Sequence, residues 1–335
     1  MALWVDRGPT IESPALAPGE HELDRGARDG LTIGLINNMP DGALKATERQ
    51  FMRLLQAAAG ERRVRLLCFS LPSVKRSAAA QIHIDRDYAD IARLDRLPID
   101  ALIVTGAEPI AVRLSDEPFW HELTGIIDWA AINTRSTIFS CLAAHAAVEH
   151  LDRIERQRLP AKCSGVFDCV KATDDWLTRG LPAAVRISHS RYNELRESDL
   201  VAGGYEVLTR SREAGVDIFS CALKSRFIFF QGHPEYDANS LQREYMRDLA
   251  RFLNGERDEY PAIPTLYFDE PTETQLRKFE RRAKAARHPV LAAELPGLTL
   301  RSDVAAGVAA RLIFANWLGF LAAETHAPSP VSLRK

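Results

Sequence analysis

Apolar positions along the chain fall into two rhythms. Short strand-like runs rich in apolar residues occur at Leu31–Ile36, Val64–Leu71, Ala101–Thr105 and Thr137–Ser140, each closed by polar or turn residues. Between them apolar residues recur at helical spacing. Leu44, Phe51, Leu54 and Leu55 mark a helix over 44–55, and Trp120, Leu123, Ile126, Ile127 and Ala130 mark another over 119–131. A third follows Thr137–Ser140 directly, over 142–151. Runs apolar on both faces, alternating with helices of about 10–15 residues, predict an α/β protein with a parallel sheet. From Val166 to Phe230 the rhythm shortens. Tyr205–Thr209, Ile218–Leu223 and Phe227–Phe230 are strand-like and close together, which predicts antiparallel additions. Residues 239–253 read as a helix striped by Leu241, Tyr245, Leu249 and Phe252, and Pro261, Pro264 and Pro271 mark a boundary beyond it.

The expected organisation is an extended arm over 1–30, rich in Pro, Gly and charge, and a catalytic domain over 31–255. Residues 256–335 follow as a linker and a C-terminal helical appendage. Val304–Ala323 is nearly long enough to span a bilayer, which takes about 20 apolar residues. Arg311 near its middle costs about 2.5–3.5 kcal/mol on insertion, so a buried helix is expected instead.

Composition narrows the function classes. Apolar residues make up 46% of 335, enough for a sizeable core. A net charge of -2 excludes a globally basic nucleic-acid binder, and the basic run Arg277–Arg287 reads as a solvated helix face. Five cysteines (Cys68, Cys141, Cys163, Cys169, Cys221) form no CxxC pair and fit reduced thiols of a cytoplasmic protein. Asp6 and Arg7 interrupt any signal-peptide core. No membrane or nucleic-acid partner is expected.

Two stretches carry chemistry. Cys141 stands between an apolar strand and a helix, the plan of a nucleophile elbow. There the side chain stands clear of the sheet, and the helix N-terminus can stabilise a thiolate and later an oxyanion. The second is Gly232-His233-Pro234-Glu235 after the run Phe227–Phe230. Pro234 forces extended geometry on His233, so His233 and Glu235 project to one side. Glu235 could then hold one imidazole nitrogen while the other faces a thiol. Cys141 with His145, and Glu149 or His150, has a spacing that could suit a metal, but no fourth ligand is evident and none is expected.

The Cys141 elbow, His189-Ser190-Arg191-Tyr192, and Gly232 to Asp237 followed by Arg247-Asp248 resemble the homoserine O-acyltransferases of methionine biosynthesis. The resemblance covers residues 31–255 and returns at Phe314–Leu318. It implies a glutamine amidotransferase-like (flavodoxin-like) core and a homodimer. It also implies acyl transfer from acyl-CoA to homoserine by ping-pong chemistry through a thioester, with acyl-CoA a substrate and no cofactor. By position Cys141 would be the nucleophile, His233 the general base and Glu235 its orienter. Arg247 would receive the amino-acid carboxylate, and Lys162 and Ser190 would line the pocket. In the family, glutamate at the position of Ile110 goes with acetyl-CoA and glycine with succinyl-CoA. Ile110 carries no charge to repel a succinyl carboxylate but narrows its space, and Glu108 lies close enough in sequence to intrude. Charge repulsion in a desolvated pocket outweighs bulk, so succinyl-CoA is expected.

The chain departs from the family at Leu142 and His145, where an aromatic residue and a glutamine are usual. Phe167-Asp168-Cys169 replaces Tyr-Glu-His, and Ala306-Gly307-Val308-Ala309-Ala310 replaces a stretch containing Arg-Ser-His-Gly. These changes leave room for two alternatives: an acyltransferase acting on another hydroxy-amino acid, or a glutamine amidotransferase-like hydrolase. The second lacks both a synthetase domain and the Gly-x-Gln expected after its cysteine.

Overall fold

The computed structural model describes residues 3–5, 30–304 and 307–323. The elements run β1 (Leu3–Val5), β2 (Leu31–Ile36), α1 (Asp41–Ala59), β3 (Val64–Phe69), α2 (Ala78–Asp87), β4 (Ala101–Val104), α3 (Trp120–Asn133), β5 (Ser136–Ser140) and α4 (Leu142–Asp152). They continue with β6 (Gln157–Lys171), β7 (Ala184–Glu194), α5 (Glu197–Ala202), β8 (Glu206–Ser211), β9 (Gly215–Ala222), β10 (Arg226–Phe230), α6 (Ser240–Leu253), α7 (Glu270–Ala285) and α8 (Gly307–Ala323).

All the described strands share one sheet, in the order β1-β3-β2-β4-β5-β10-β9-β8-β6-β7. From β1 to β10 the pairings are parallel, and from β10 onward they are antiparallel. Successive side chains on a strand point to opposite faces, so a strand covered on both sides must be apolar at every position. β2 comes close to that, with Thr32 its one polar residue. Leu31, Ile33 and Leu35 pack in a core with α1 and α8, while Ile36 joins Leu102, Val104 and Phe139 in a second core with α3 and α4. This is the α/β class that the apolar runs predict, with a parallel core and antiparallel additions.

Three features differ from the sequence pattern. Of the arm expected over 1–30, Leu3–Val5 forms an edge strand on β3, whose free edge supplies the pairing. Apart from Gly30, the rest of the arm lies outside the described residues. The β6–β7 hairpin is longer than any apolar run announces, because β7 alternates buried and half-buried positions and several buried ones are polar. The helix α8 returns to the main core. Its Phe314, Trp317, Leu318 and Leu321 are fully buried, and Trp317 Nε1 donates to Ser136 Oγ at 2.9 Å. Among the described residues no helix is long and apolar enough to cross a membrane.

Parallel pairing puts the carboxyl ends of β4, β5 and β10 at one edge, where open α/β sheets hold their ligands. Ser140 pairs with Phe230, and Cys141 N–H extends that ladder by donating to Phe230 O at 2.7 Å. The two chemical motifs therefore leave the sheet side by side.

Candidate active site

Cys141 occupies a backbone conformation that L-residues rarely adopt, at φ 52° and ψ -113°. It is the turn between β5 and α4, and it presents a partly exposed Sγ at the N-terminus of the helix. The first amides of α4 lack intrahelical acceptors and face the same space. Gly106, at the end of β4, makes this approach feasible. A Cβ there would lie 2.9 Å from Leu142 Cβ and 3.2 Å from Leu142 N. Strain of this kind costs about 1–3 kcal/mol and persists where surrounding structure holds it. Cys141→Gly should relieve it and lose about 0.4–1 kcal/mol through added unfolded-state entropy. Denaturant titration should accordingly find Cys141→Gly more stable than Cys141→Ala, and the reverse order would mean the turn is unstrained.

His233 and Glu235 are both buried, and His233 Nδ1 lies 2.8 Å from Glu235 Oε1. That leaves Nε2 for Cys141, which lies close enough to stabilise the imidazolium. Burial works against the imidazolium, but Glu235 and then Cys141 outweigh it. Together they hold His233 well above the ordinary histidine value of 6.5. Its backbone is fixed from below, where His233 N–H donates to Ser188 O of β7 at 2.7 Å. Gly232 permits the close packing beneath, since a Cβ there would come within 2.4 Å of Asp217 Oδ1. Tyr236 stacks on the imidazole with ring centroids 4.2 Å apart.

Beside the triad lies a charged cluster built on one face of α6. Glu244 accepts hydrogen bonds from Tyr236 and Ser190. Lys162 Nζ bridges Glu244 Oε2 at 3.5 Å and Asp248 Oδ2 at 3.2 Å. Arg247 donates Nε and Nη2 to Asp248 Oδ1, at 3.1 and 3.0 Å. Burial alone would raise the Glu244 and Asp248 carboxyls, yet Lys162 reverses it at both, joined by Arg247 at Asp248, and each ends below its usual value. Tyr236, Glu244 and Asp248 are functional candidates that the sequence reading missed. The signal was present: Glu244, Arg247 and Asp248 stand at i, i+3 and i+4 on one helix, directly after the histidine loop.

All of these groups, except Asp248 behind Lys162 and Arg247, line one cleft of about 960 Å³. Cys141, His233, Glu235, Lys162, Ser190 and Arg247 come together there, from strands and helices far apart in sequence. Ile110 does not join them. Its side chain is 74% exposed and off the cleft, while its N–H and that of Ala111 donate to Glu117 Oε1 at 2.9 and 2.8 Å. Glu108, at the cleft wall, is paired with Arg251 at 3.1 Å.

Residues in place of the family pattern have structural partners. His145 is buried and bonds Gln231 Oε1 at 3.0 Å; burial, then Arg191, pushes it down to about 3, so it stays neutral. His150 turns away to Asp128 at 2.8 Å, so neither histidine shares a ligand with Cys141. Cys169 meets His189 and Asp217 under β7, and among the described residues this is the one group with three metal-binding atoms within 4.8 Å. Burial, then Asp217, pushes the Cys169 thiol far up, and Thr209 Oγ1 donates to Asp217 Oδ2 at 2.8 Å. Cys169 Sγ lies 3.9 Å from His189 Nε2, which lies 3.4 Å from Asp217 Oδ1.

Such an arrangement can form and break a thioester: a thiol on a helix N-terminus, an imidazole against it, a carboxylate behind, and cations at the cleft wall. Two crystal structures of glutamine amidotransferases are similar in outline, at TM-scores below 0.5. The one from Methylobacillus flagellatus aligns at 0.47 with 14% identity over 87% of this chain and 95% of that chain. The one from Thermotoga maritima aligns at 0.46 with 10% identity over 88% and 99%. Sequence relationships are far stronger. The homoserine O-succinyltransferase of Bradyrhizobium japonicum is 62% identical over 96% of this chain and 99% of its own length. That of Rhodopseudomonas palustris is 55% identical over 97% and 100%. Residues 20–327 match the family described as HTS, homoserine O-succinyltransferase, and the chain belongs to that family of acyltransferases.

Proposed function

We propose that this enzyme transfers a succinyl group from succinyl-CoA to the hydroxyl of homoserine through a covalent succinyl-Cys141. The observation that carries the reading is the linked set Cys141–His233–Glu235 at the floor of the cleft, with Nδ1 of His233 on Glu235 and Nε2 left for the thiol. In the first half-reaction His233 Nε2 takes the Cys141 proton and the sulfur attacks the thioester carbonyl carbon. The oxyanion forms beside the amides at the N-terminus of α4, and collapse expels the sulfur of CoA, which leaves as a thiol with the proton from His233. In the second, the homoserine hydroxyl attacks the acyl carbonyl while His233 Nε2 takes its proton. Cys141 leaves and recovers that proton. Splitting the transfer this way means the two substrates never need to be aligned together.

The succinyl assignment is supported by the names of the two relatives and by two residues of the loop after β4. Ile110 is uncharged, and Glu108 is neutralised by Arg251. Equal succinyl-CoA and acetyl-CoA offered to the enzyme should give a predominantly succinylated Cys141 by mass; a predominantly acetylated one would reverse the donor. For the acceptor, Arg247 is half-exposed at the cleft, and its Nη1 carries no hydrogen bond among the described residues. It is placed to take a carboxylate. Arg247→Ala should raise the KM for homoserine by about 10- to 150-fold, the equivalent of about 1.5–3 kcal/mol for hydrogen bonds to a charged group. Acylation of Cys141 in the absence of homoserine should be unchanged, and an equal loss there would make Arg247 structural.

The test of the two-step route is isotope exchange. Labelled CoA should enter succinyl-CoA in the absence of homoserine, because the first half-reaction is reversible on its own. Exchange that begins only when homoserine is added would require direct transfer and sink the covalent reading.

A further inference from the structure

Most cations that line the cleft are engaged by the protein itself. Lys162 holds Glu244 and Asp248, Arg247 holds Asp248, and Arg113 holds Asp116 at 2.9 Å. Arg191 is buried and donates to the carbonyls of Asn193 and Ala214. Arg158 lies over the Tyr192 ring at 4.6 Å, and Arg153 is exposed to solvent. Arg156 differs from all of these. It is half-buried in the cleft wall, and among the described residues it has neither an ion pair nor a side-chain hydrogen bond.

A half-buried guanidinium gives up water, and among the described residues none bonds Arg156 directly in return. Burial is the largest influence on Arg156, followed by Glu149, Glu117 and then Cys141, so it lies within electrostatic reach of the thiol. Glu117 acts on Arg156 without a direct bond to it. Its Oε1 caps the amides of Ile110 and Ala111, which joins Arg156 electrostatically to the loop bearing Ile110.

We propose that Arg156 receives the free carboxylate of the succinyl group. This deepens the succinyl-CoA reading above and rests on it. The guanidinium fork matches a carboxylate in two parallel hydrogen bonds. In a succinyl thioester the far carboxylate lies only a short chain from the reacting carbonyl, so its partner must sit near Cys141. The phosphates of CoA are held away from the thioester by the whole pantetheine arm, and a cation close to the thiol is poorly placed for them. Homoserine brings a carboxylate too, but in the second half-reaction and toward the Arg247 side of the cleft. Arg156 is thus a donor-selecting residue: acetyl-CoA offers it nothing.

The experiment measures kcat/KM for acylation of Cys141 by succinyl-CoA and by acetyl-CoA, in the full-length wild type, Arg156→Gln and Arg156→Lys. Arg156→Gln should lower the succinyl-CoA value by about 10- to 100-fold and leave the acetyl-CoA value within about twofold, since only one donor has a charged group to lose. Arg156→Lys should recover part of the loss, and the KM for homoserine should not move. Equal losses with both donors would make Arg156 a site for CoA or for the fold, and overturn the inference. So would a rise confined to the homoserine KM, or an unchanged donor ratio. The ratio decides the matter whichever donor the wild type favours; a failure of the donor reading shows separately, as a wild type that prefers acetyl-CoA.

Discussion

Cys141→Ala is expected to lose at least about 10⁴-fold in kcat with succinyl-CoA and homoserine while retaining its fold. The substitution keeps Cβ, so the backbone at φ 52° is as strained as before and the N-terminus of α4 stays where it is. What disappears is Sγ, and among the described residues Cys141 is the one cysteine lining the cleft. His233 would then have to activate homoserine for direct attack on the CoA thioester, with both substrates aligned in the same space. The alignment entropy that the covalent route divides between two steps would fall on one. CoA release, followed with a thiol reagent at saturating substrates, gives the rate, and an unchanged melting midpoint certifies the fold. A variant within about tenfold of wild type would put the nucleophile elsewhere.

Glu235→Gln should slow both half-reactions by about 10²- to 10⁴-fold, because the amide keeps a hydrogen bond to Nδ1 but withdraws the charge that steadies the imidazolium. The pH dependence has a definite sign. In the succinylated enzyme Cys141 carries no charge, so Glu235 alone works against burial to keep the His233 proton on. His233 must be neutral to accept the hydroxyl proton, so transfer to homoserine should fall off on the acid side. In Glu235→Gln that acid limb should move to lower pH even as the rate drops. Stability follows the same linkage. Since the folded value of His233 lies above 6.5, its contribution is fully present below that pH and is lost as pH rises through the raised value. The stability gap between wild type and Glu235→Gln should therefore be widest in acid and close toward alkaline pH. Stopped-flow transfer rates and denaturant titrations across pH read both effects, and an acid limb that stays in place would remove Glu235 from the histidine's charge balance.

How far the sequence announces this molecule depends on how each residue earns its position. The parallel core is plain because β2, β3 and β4 are covered on both faces and are largely apolar, while β5 shows only Ile138 and Phe139. The amphipathic helices α1 and α6 show their stripes because one face packs on the core and the other meets solvent, whereas α4 is buried at every position from Leu142 to Val148. The β6–β7 hairpin is obscure, since its buried positions include the polar residues Ser164, His189 and Arg191. The stripe of α7 (Thr272, Leu276, Phe279, Ala283) has helical spacing but is overshadowed by the basic residues between. At the site, Cys141 and the His233–Glu235 pair are marked by local grammar: a strand, a turn residue, a helix or a proline. Lys162, Ser190 and Arg247 carry no such local mark, and only the family resemblance singles them out. Glu244, which joins Lys162 and Ser190, is invisible until β6, β7 and α6 are brought together. Ile110 shows the opposite limit. Its sequence position falls in the loop after β4, yet Glu117 turns the backbone so that the side chain faces solvent.

The covalent route stands or falls on one intermediate. Wild-type enzyme mixed with succinyl-CoA alone, quenched in acid and digested, should carry one succinyl group on the peptide containing Cys141. Addition of homoserine should discharge it at a rate no slower than steady-state turnover. A succinyl group on any other residue, no adduct at all under conditions that release CoA, or an adduct that homoserine clears more slowly than the enzyme turns over would contradict transfer through Cys141.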